Sequence, residues 1–77
     1  MELRQLRYFV AVVECGSLSR AASMVHIVPP ALSQQMGQLE QELGVQLLHR
    51  SVRGVTPTPA GHALYRHAQQ MLKMADQ

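Results

Sequence analysis

The sequence predicts a mainly α fold: three helices, a short two-stranded wing and a long fourth helix. Three observations carry that expectation. Apolar residues recur at helical spacing in four separate blocks. The blocks are separated by helix stop and start signals: Gly16 and Ser17, the Pro29-Pro30 pair, Gly44, and Thr58-Pro59. Between the third and fourth blocks, LLHRSVRGVT at 47–56 switches to the shorter apolar spacing of a hairpin. A 77-residue chain forms one small domain. At that size it buries only roughly 60% of its unfolded surface, so a second chain or a further domain is expected to complete its core.

The first helix is expected over 2–15, where Leu3, Leu6, Phe9, Val10 and Val13 share one face. Tyr8 and Val12 make a second apolar strip, which predicts cover on two sides. Gly16 ends the helix. Ser17 is placed to N-cap a short second helix from Leu18 to Val25, with Leu18, Ala21, Ala22 and Val25 inward. His26 falls in the following turn, where a positive φ is expected. The third helix is expected to begin near Pro30, since proline is tolerated in a first turn and restricts the residue before it. That reasoning puts Pro29 in the turn or at the cap. Leu32, Met36, Leu39 and Leu43 are expected inward, and Pro30, Ser33, Gln34, Gly37, Gln38 and Gln41 outward. Gly44 stops this helix. SVRG then makes a turn with Arg50 and Arg53 around its tip. Thr58 and Pro59 start the fourth helix as N-cap and first residue. Its stripe is Ala60, Leu64, Ala68, Met71 and Ala75, and it runs to the last residue with no glycine or proline stop, as expected of a piece of a longer chain.

Composition narrows the function class. Apolar content of 47% fits a globular chain. No apolar run approaches the ~20 residues of a membrane span. MELRQLRYFV lacks the apolar run and small-residue cleavage site of a secretory signal. Cys15 is the single cysteine, expected to be a packed structural thiol. These points predict a cytoplasmic protein. Net charge is only +2, but no acid lies between Glu14 and Glu40 or between Glu42 and Asp76. The second gap holds Arg50, Arg53, Arg66, Lys73 and three histidines, a segregation that can give a basic face.

The third helix carries the functional signal. Its outer face has hydroxyls and amides and no charge before Glu40, whereas a helix facing only water mixes Lys and Glu. Two short helices, a tight turn, a polar-faced helix and a basic hairpin together read as a winged helix-turn-helix. In such a fold the third helix enters a major groove. A glutamine amide can pair bidentately with adenine, which nominates Gln34 and Gln38. Pro30 offers apolar surface to a thymine methyl, and Ser33 reaches a phosphate or a base. Free N–H groups beside Ser17 suit a phosphate oxygen. Arg50 and Arg53 can contact phosphates or enter a narrow minor groove.

Specific stretches resemble the N-terminal DNA-binding domain of the LysR-type transcriptional regulators. RQLRYFVAVVECGSLSRAA is similar to that family's opening helix and helix-turn-helix start. PALSQQMGQLEQELGVQLLHR follows its pattern P-A-x-S-x-x-x-x-x-L-E-x-x-L-G-x-x-L-x-x-R, and RGVTPTPAG resembles its wing and linker helix. RGVTPT together with ALSQQ resembles the nitrogen assimilation control regulators within the family. The resemblance implies a winged helix-turn-helix over 1–57 and a truncated linker and dimerisation helix over 58–77. It implies double-stranded DNA at an interrupted palindromic promoter site as partner, and a homodimer through the linker helix, with Tyr8, Val12, Ala60, Leu64, Ala68, Met71 and Ala75 at the contact. Pro30 and Gln34 would read bases, Ser33, Arg50 and Ser17 would hold phosphates, and Arg53 would sit in the minor groove. A two-lobed C-terminal domain for a small-molecule effector belongs to the full-length relatives, and nothing of it is in this chain. No cofactor is implied. The chain departs from the family at Val28-Pro29-Pro30-Ala31, where S-Q-P-A is usual. The replaced Ser is a helix cap and the replaced Gln a base contact, so Pro29 stands at a reading position without a donor.

Two other function classes compete with this reading. An enzyme has little support, because no HExxH, P-loop or nucleophile-elbow pattern is present and His62 and His67 lie five apart, off one helix face. A helical dimerisation or protein-interaction module draws on the apolar stripe of the fourth helix. Salt dependence separates it from DNA binding.

Overall fold

The computed structural model describes residues 1–77 as four helices and one two-stranded sheet: α1 Leu3–Cys15, α2 Leu18–Val25, α3 Pro29–Leu43, β1 Leu48–Ser51, β2 Gly54–Pro57 and α4 Pro59–Ala75. The strands pair antiparallel, with Leu48 opposite Pro57, Arg50 opposite Val55 and Ser51 opposite Gly54, so Val52 and Arg53 form the turn. The mainly helical winged architecture expected from the sequence is the one observed.

The helix boundaries follow local chemistry. Ser17 Oγ accepts from the Arg20 amide and caps α2. His26 closes α2 at φ 62°. Thr58 Oγ1 accepts from the Gly61 amide at 3.0 Å and caps α4. One boundary differs from expectation. Pro29 is the first residue of α3, and Val28 is the cap, at ψ 146°. The restriction imposed by a following proline acts partly through the preceding residue's N–H. At Pro29 that restriction is overcome, since its own ring already fixes a helical φ and a first turn needs no amide from it; the extended geometry falls on Val28, which itself precedes a proline.

The core lies where α1, α2, α3 and the base of the wing meet. Phe9, Val12, Ala21, Ala22, Leu32, Met36 and Leu39 are fully buried, with Leu47, Leu48 and Val55 closing the wing side. Leu43, expected inward, is 40% exposed because it sits in the last turn of α3, past the end of the core. On α1 the buried line is Gln5, Leu6, Phe9, Ala11 and Val12. Val10 and Val13 are only half-buried and Leu3 is exposed, because α1 is packed by α2 and α3 as well as by α4.

That double cover corrects the expected dimer surface. Val12 and Ala68 have no exposed area, so neither can meet a partner. Tyr8, Ala60 and Leu64 are half-buried against the chain's own core. The stripe of α4 is thus spent on α1 over its first turns, and only Met71 and Ala75 of the expected set are exposed.

Two glycines hold the wing in place. Gly54 has φ 129°, and a Cβ there would overlap the Gly16 carbonyl oxygen. The adjacent Val55 amide donates to that same oxygen at 2.9 Å, which fixes β2 against the turn ahead of Ser17. At Gly61 a Cβ would overlap the Leu47 carbonyl oxygen, so only glycine lets α4 start this close to the wing.

Candidate nucleic-acid interface

The outer face of α3 and the wing form one surface. Arg50 Nη1 donates to Ser33 Oγ at 2.7 Å, joining β1 to α3. Two groups expected to hold phosphates are therefore adjacent and already oriented towards each other. Pro30 and Gln34, one helical turn apart, are exposed on the same side of α3. Arg53 is exposed at the hairpin tip, where its amide donates to Ser51 Oγ at 3.2 Å. The Gly16–Val55 bond brings the wing beside the start of α2. There the Leu18 and Ser19 amides lie ahead of the first capped amide, that of Arg20, and remain free for an anion.

Gln38 sits apart from that group. It is exposed, but it lines a cleft with Met1, Glu2, Gln5, Gln41 and Glu42. Glu2 and Glu42 beside it are each paired with a cation of this chain, so that end of α3 has no surplus positive charge for a polyanion. The structure thus brings together Ser17, Pro30, Ser33, Gln34, Arg50 and Arg53, with Pro29 exposed at the helix start, and leaves Gln38 at the margin.

Electrostatics sharpen the surface, because all of the chain's carboxylates are engaged within the chain. Glu2 lies 3.6 Å from Arg4, and Asp76 lies 2.6 Å from Arg7. Glu42 pairs with the N-terminal ammonium. Glu14 accepts from the Tyr65 hydroxyl at 2.8 Å. Glu40 accepts the Leu47 and Leu48 amides at 2.7 and 3.1 Å. No carboxylate pairs with Arg20, Arg50, Arg53, Arg66 or Lys73. Positive charge is left over on the helix-turn-helix, the wing and α4, which is the arrangement that attracts a polyanion.

Sequence reasoning missed Glu40. Its carboxylate satisfies two backbone donors at the α3–wing junction and so sets where Arg50 stands. The signal was present in the L-E-x-x-L-G stretch, but a carboxylate on a helix reads as a solvated charge until the chain is seen folding back onto it. Gln46 was missed as well: its side-chain amide donates to the Leu48 carbonyl, and its backbone carbonyl accepts from Thr58 Oγ1 at 2.6 Å. No helix is long and apolar enough to cross a membrane.

Known proteins share this arrangement. The family model described as bacterial regulatory helix-turn-helix protein, lysR family, matches residues 3–62. The nitrogen assimilation regulatory protein nac of Klebsiella aerogenes is 54% identical over 77 residues, covering 100% of this chain and 25% of that protein. The HTH-type transcriptional regulator BenM of Acinetobacter baylyi is 53% identical over the same span, again 25% of its length. This chain therefore spans about a quarter of the length of the curated relatives it matches. Among solved structures, the BenM DBD–benA site 1 DNA complex superposes with a TM-score of 0.96 at 53% identity, covering 100% of this chain and 90% of that one. The CbnR DBD–DNA complex superposes at 0.95 with 47% identity, covering 99% and 87%. The chain belongs to the LysR family of bacterial regulatory helix-turn-helix proteins.

Proposed function

We propose that residues 1–57 are a sequence-specific double-stranded DNA-binding domain of a cytoplasmic transcription regulator, with α3 in the major groove and the wing arginines on phosphates or at the minor groove. The observation that carries this reading is the Ser33–Arg50 bond, which joins an amide-bearing helix face to a wing whose arginines pair with no carboxylate. In this reading Pro30 and Gln34 meet base edges, and Ser33, Arg50 and the amides after Ser17 hold phosphates. Residues 58–77 act as the linker helix of a homodimer, so that two copies read an interrupted palindrome. The chain is a binding module with no catalytic role, and any effector acts through parts of a full-length protein. The solved relatives support the reading, since BenM and CbnR domains of this fold are known in complex with DNA.

Salt titration tests it. Binding to a duplex enriched from a random pool should weaken log-linearly with salt, with a slope of about −0.9 for each phosphate neutralised. An interaction module without DNA function enriches no duplex and associates with little salt dependence.

A further inference from the structure

The first turn of α3 leaves no backbone donor open beyond the amide of its cap, Val28. Pro29 and Pro30 have no N–H. The next two amides, Ala31 and Leu32, both donate to the Val28 carbonyl, at 3.0 and 3.2 Å. Val28 caps the helix with no side-chain hydrogen bond. A helix ordinarily leaves its first amides open to an external acceptor, as α2 does at Leu18 and Ser19. Within α3 itself this end has no amide to hold a phosphate, and the side chains of Val28, Pro29 and Pro30 have nothing to donate to a base acceptor. What it presents is apolar. Val28 is 65% exposed, and Pro29 and Pro30 are exposed beside it. The patch is continuous with the reading face, because Gln34 lies one turn beyond Pro30.

A surface of side chains without donors discriminates among bases in one way. A purine opposite it leaves N7, and in guanine O6, facing side chains with nothing to donate. Cytosine presents an amino group that finds no acceptor side chain there. Thymine alone offers a matching group, its C5 methyl. We propose that Val28 and Pro29 form a methyl-reading element that selects a pyrimidine C5 methyl at one position of each half-site. This rests on the DNA-binding reading above and gives it a specificity determinant that the chain's departure from the family pattern creates. The same methyl is carried by 5-methylcytosine, so the chain accepts that base where it rejects cytosine.

The test uses the full chain and a duplex it enriches from a random pool. Each thymine is replaced singly by deoxyuridine, which removes only the methyl, and each cytosine by 5-methylcytosine, which adds it. At one pyrimidine per half-site the thymine-to-deoxyuridine change should weaken binding about fourfold, the equivalent of one methyl-sized group left unburied. Replacing that thymine by cytosine should weaken binding further, and 5-methylcytosine there should recover about the same fourfold. Val28→Ser and Pro29→Gln both lie on exposed positions, so the fold should survive, and each should shrink the thymine-to-deoxyuridine ratio there while leaving the salt slope unchanged. A ratio near one at every position overturns the inference and leaves specific DNA binding intact. A ratio that persists in both variants and disappears in Pro30→Ala also overturns it, by assigning the methyl to Pro30. Failure to enrich any duplex removes the DNA-binding reading and the inference with it.

Discussion

Gln34 illustrates how one side chain can separate reading from holding. It is exposed on the face opposite the buried Leu32, Met36 and Leu39, and the Arg50–Ser33 pair beside it already supplies phosphate-type contacts. An amide can donate to and accept from one adenine, worth about 1–3 kcal/mol against a wrong base. A phosphate contact would instead change all affinities alike. Gln34→Ala should therefore lose discrimination at a single base pair per half-site and barely alter the salt slope. Arg50→Ala should do the reverse, lowering the slope and weakening all sequences together. Binding across every single-base variant of the enriched duplex decides between these outcomes, and uniform weakening by Gln34→Ala would reduce Gln34 to a helix-positioning contact.

Between elements, the wing and α4 are each attached by a few polar bonds, and these junctions were the least legible part of the sequence. The helices were readable because apolar spacing, caps and glycines are local signals, as at Ser17, Thr58 and Gly44. The hairpin was readable from SVRG. Which strip of α1 faces inward was not, because that depends on where α4 returns, and no local pattern records the packing of α1 against α4. Glu40 is the other such case. Glu40→Ala leaves the Leu47 and Leu48 amides without their acceptor, a loss of about 2–3 kcal/mol for charge-assisted bonds. Urea unfolding should show that loss, and amide exchange at Leu47 and Leu48 should accelerate. Unchanged exchange at both would mean that the wing is held by Gly61 and Val55 contacts alone. The α1–α4 junction has its own pH signature. The Arg7 guanidinium, hydrogen-bonded to Asp76 at 2.6 and 3.2 Å, holds that carboxyl below its ordinary 3.8. A carboxyl lowered in the folded state adds stability above its unfolded value and loses it as pH falls through the folded value. At the other extreme, the hydrogen bond to Glu14 raises Tyr65 above 10.0, so its contribution is complete below that value and is lost as pH rises through the raised one. Both pairs are exposed, so the effects are small and salt-sensitive. Melting curves of the wild type and Asp76→Asn should differ at neutral pH and converge in acid. A constant gap across the acid range would show that the Arg7 pair is not linked to folding.

For the molecule as a whole, the remaining question is what covers the far end of α4. Its first turns are committed to the chain's own core through Ala60 and Leu64, and Ala68 is fully buried, but Met71 is 37% and Met74 73% exposed, and Leu3 on α1 is 46% exposed. Half-buried Val10 and Leu72 line an open groove next to them with Arg66, Gln69, Gln70 and Lys73. An apolar end flanked by amides and cations fits an interface with a second copy better than bare solvent. Leu64 lies at the centre of the α4 stripe, but it is half-buried against the core. In the fold, Leu64→Glu would place a charge against the chain's own core and lower stability before it tested assembly. Met74→Glu is the discriminating change, since it alters an exposed position and leaves the core untouched. It should preserve helical content and melting temperature, and shift sedimentation towards a monomer. Pairing two DNA-binding surfaces raises affinity for a two-half-site duplex by about 10²–10⁴ over one half-site without new base contacts. Met74→Glu should therefore lose most of that gain on the paired site and bind a single half-site as before. If the variant sediments unchanged and keeps its paired-site advantage, the copies associate through another surface and the methionines at the end of α4 serve a different contact.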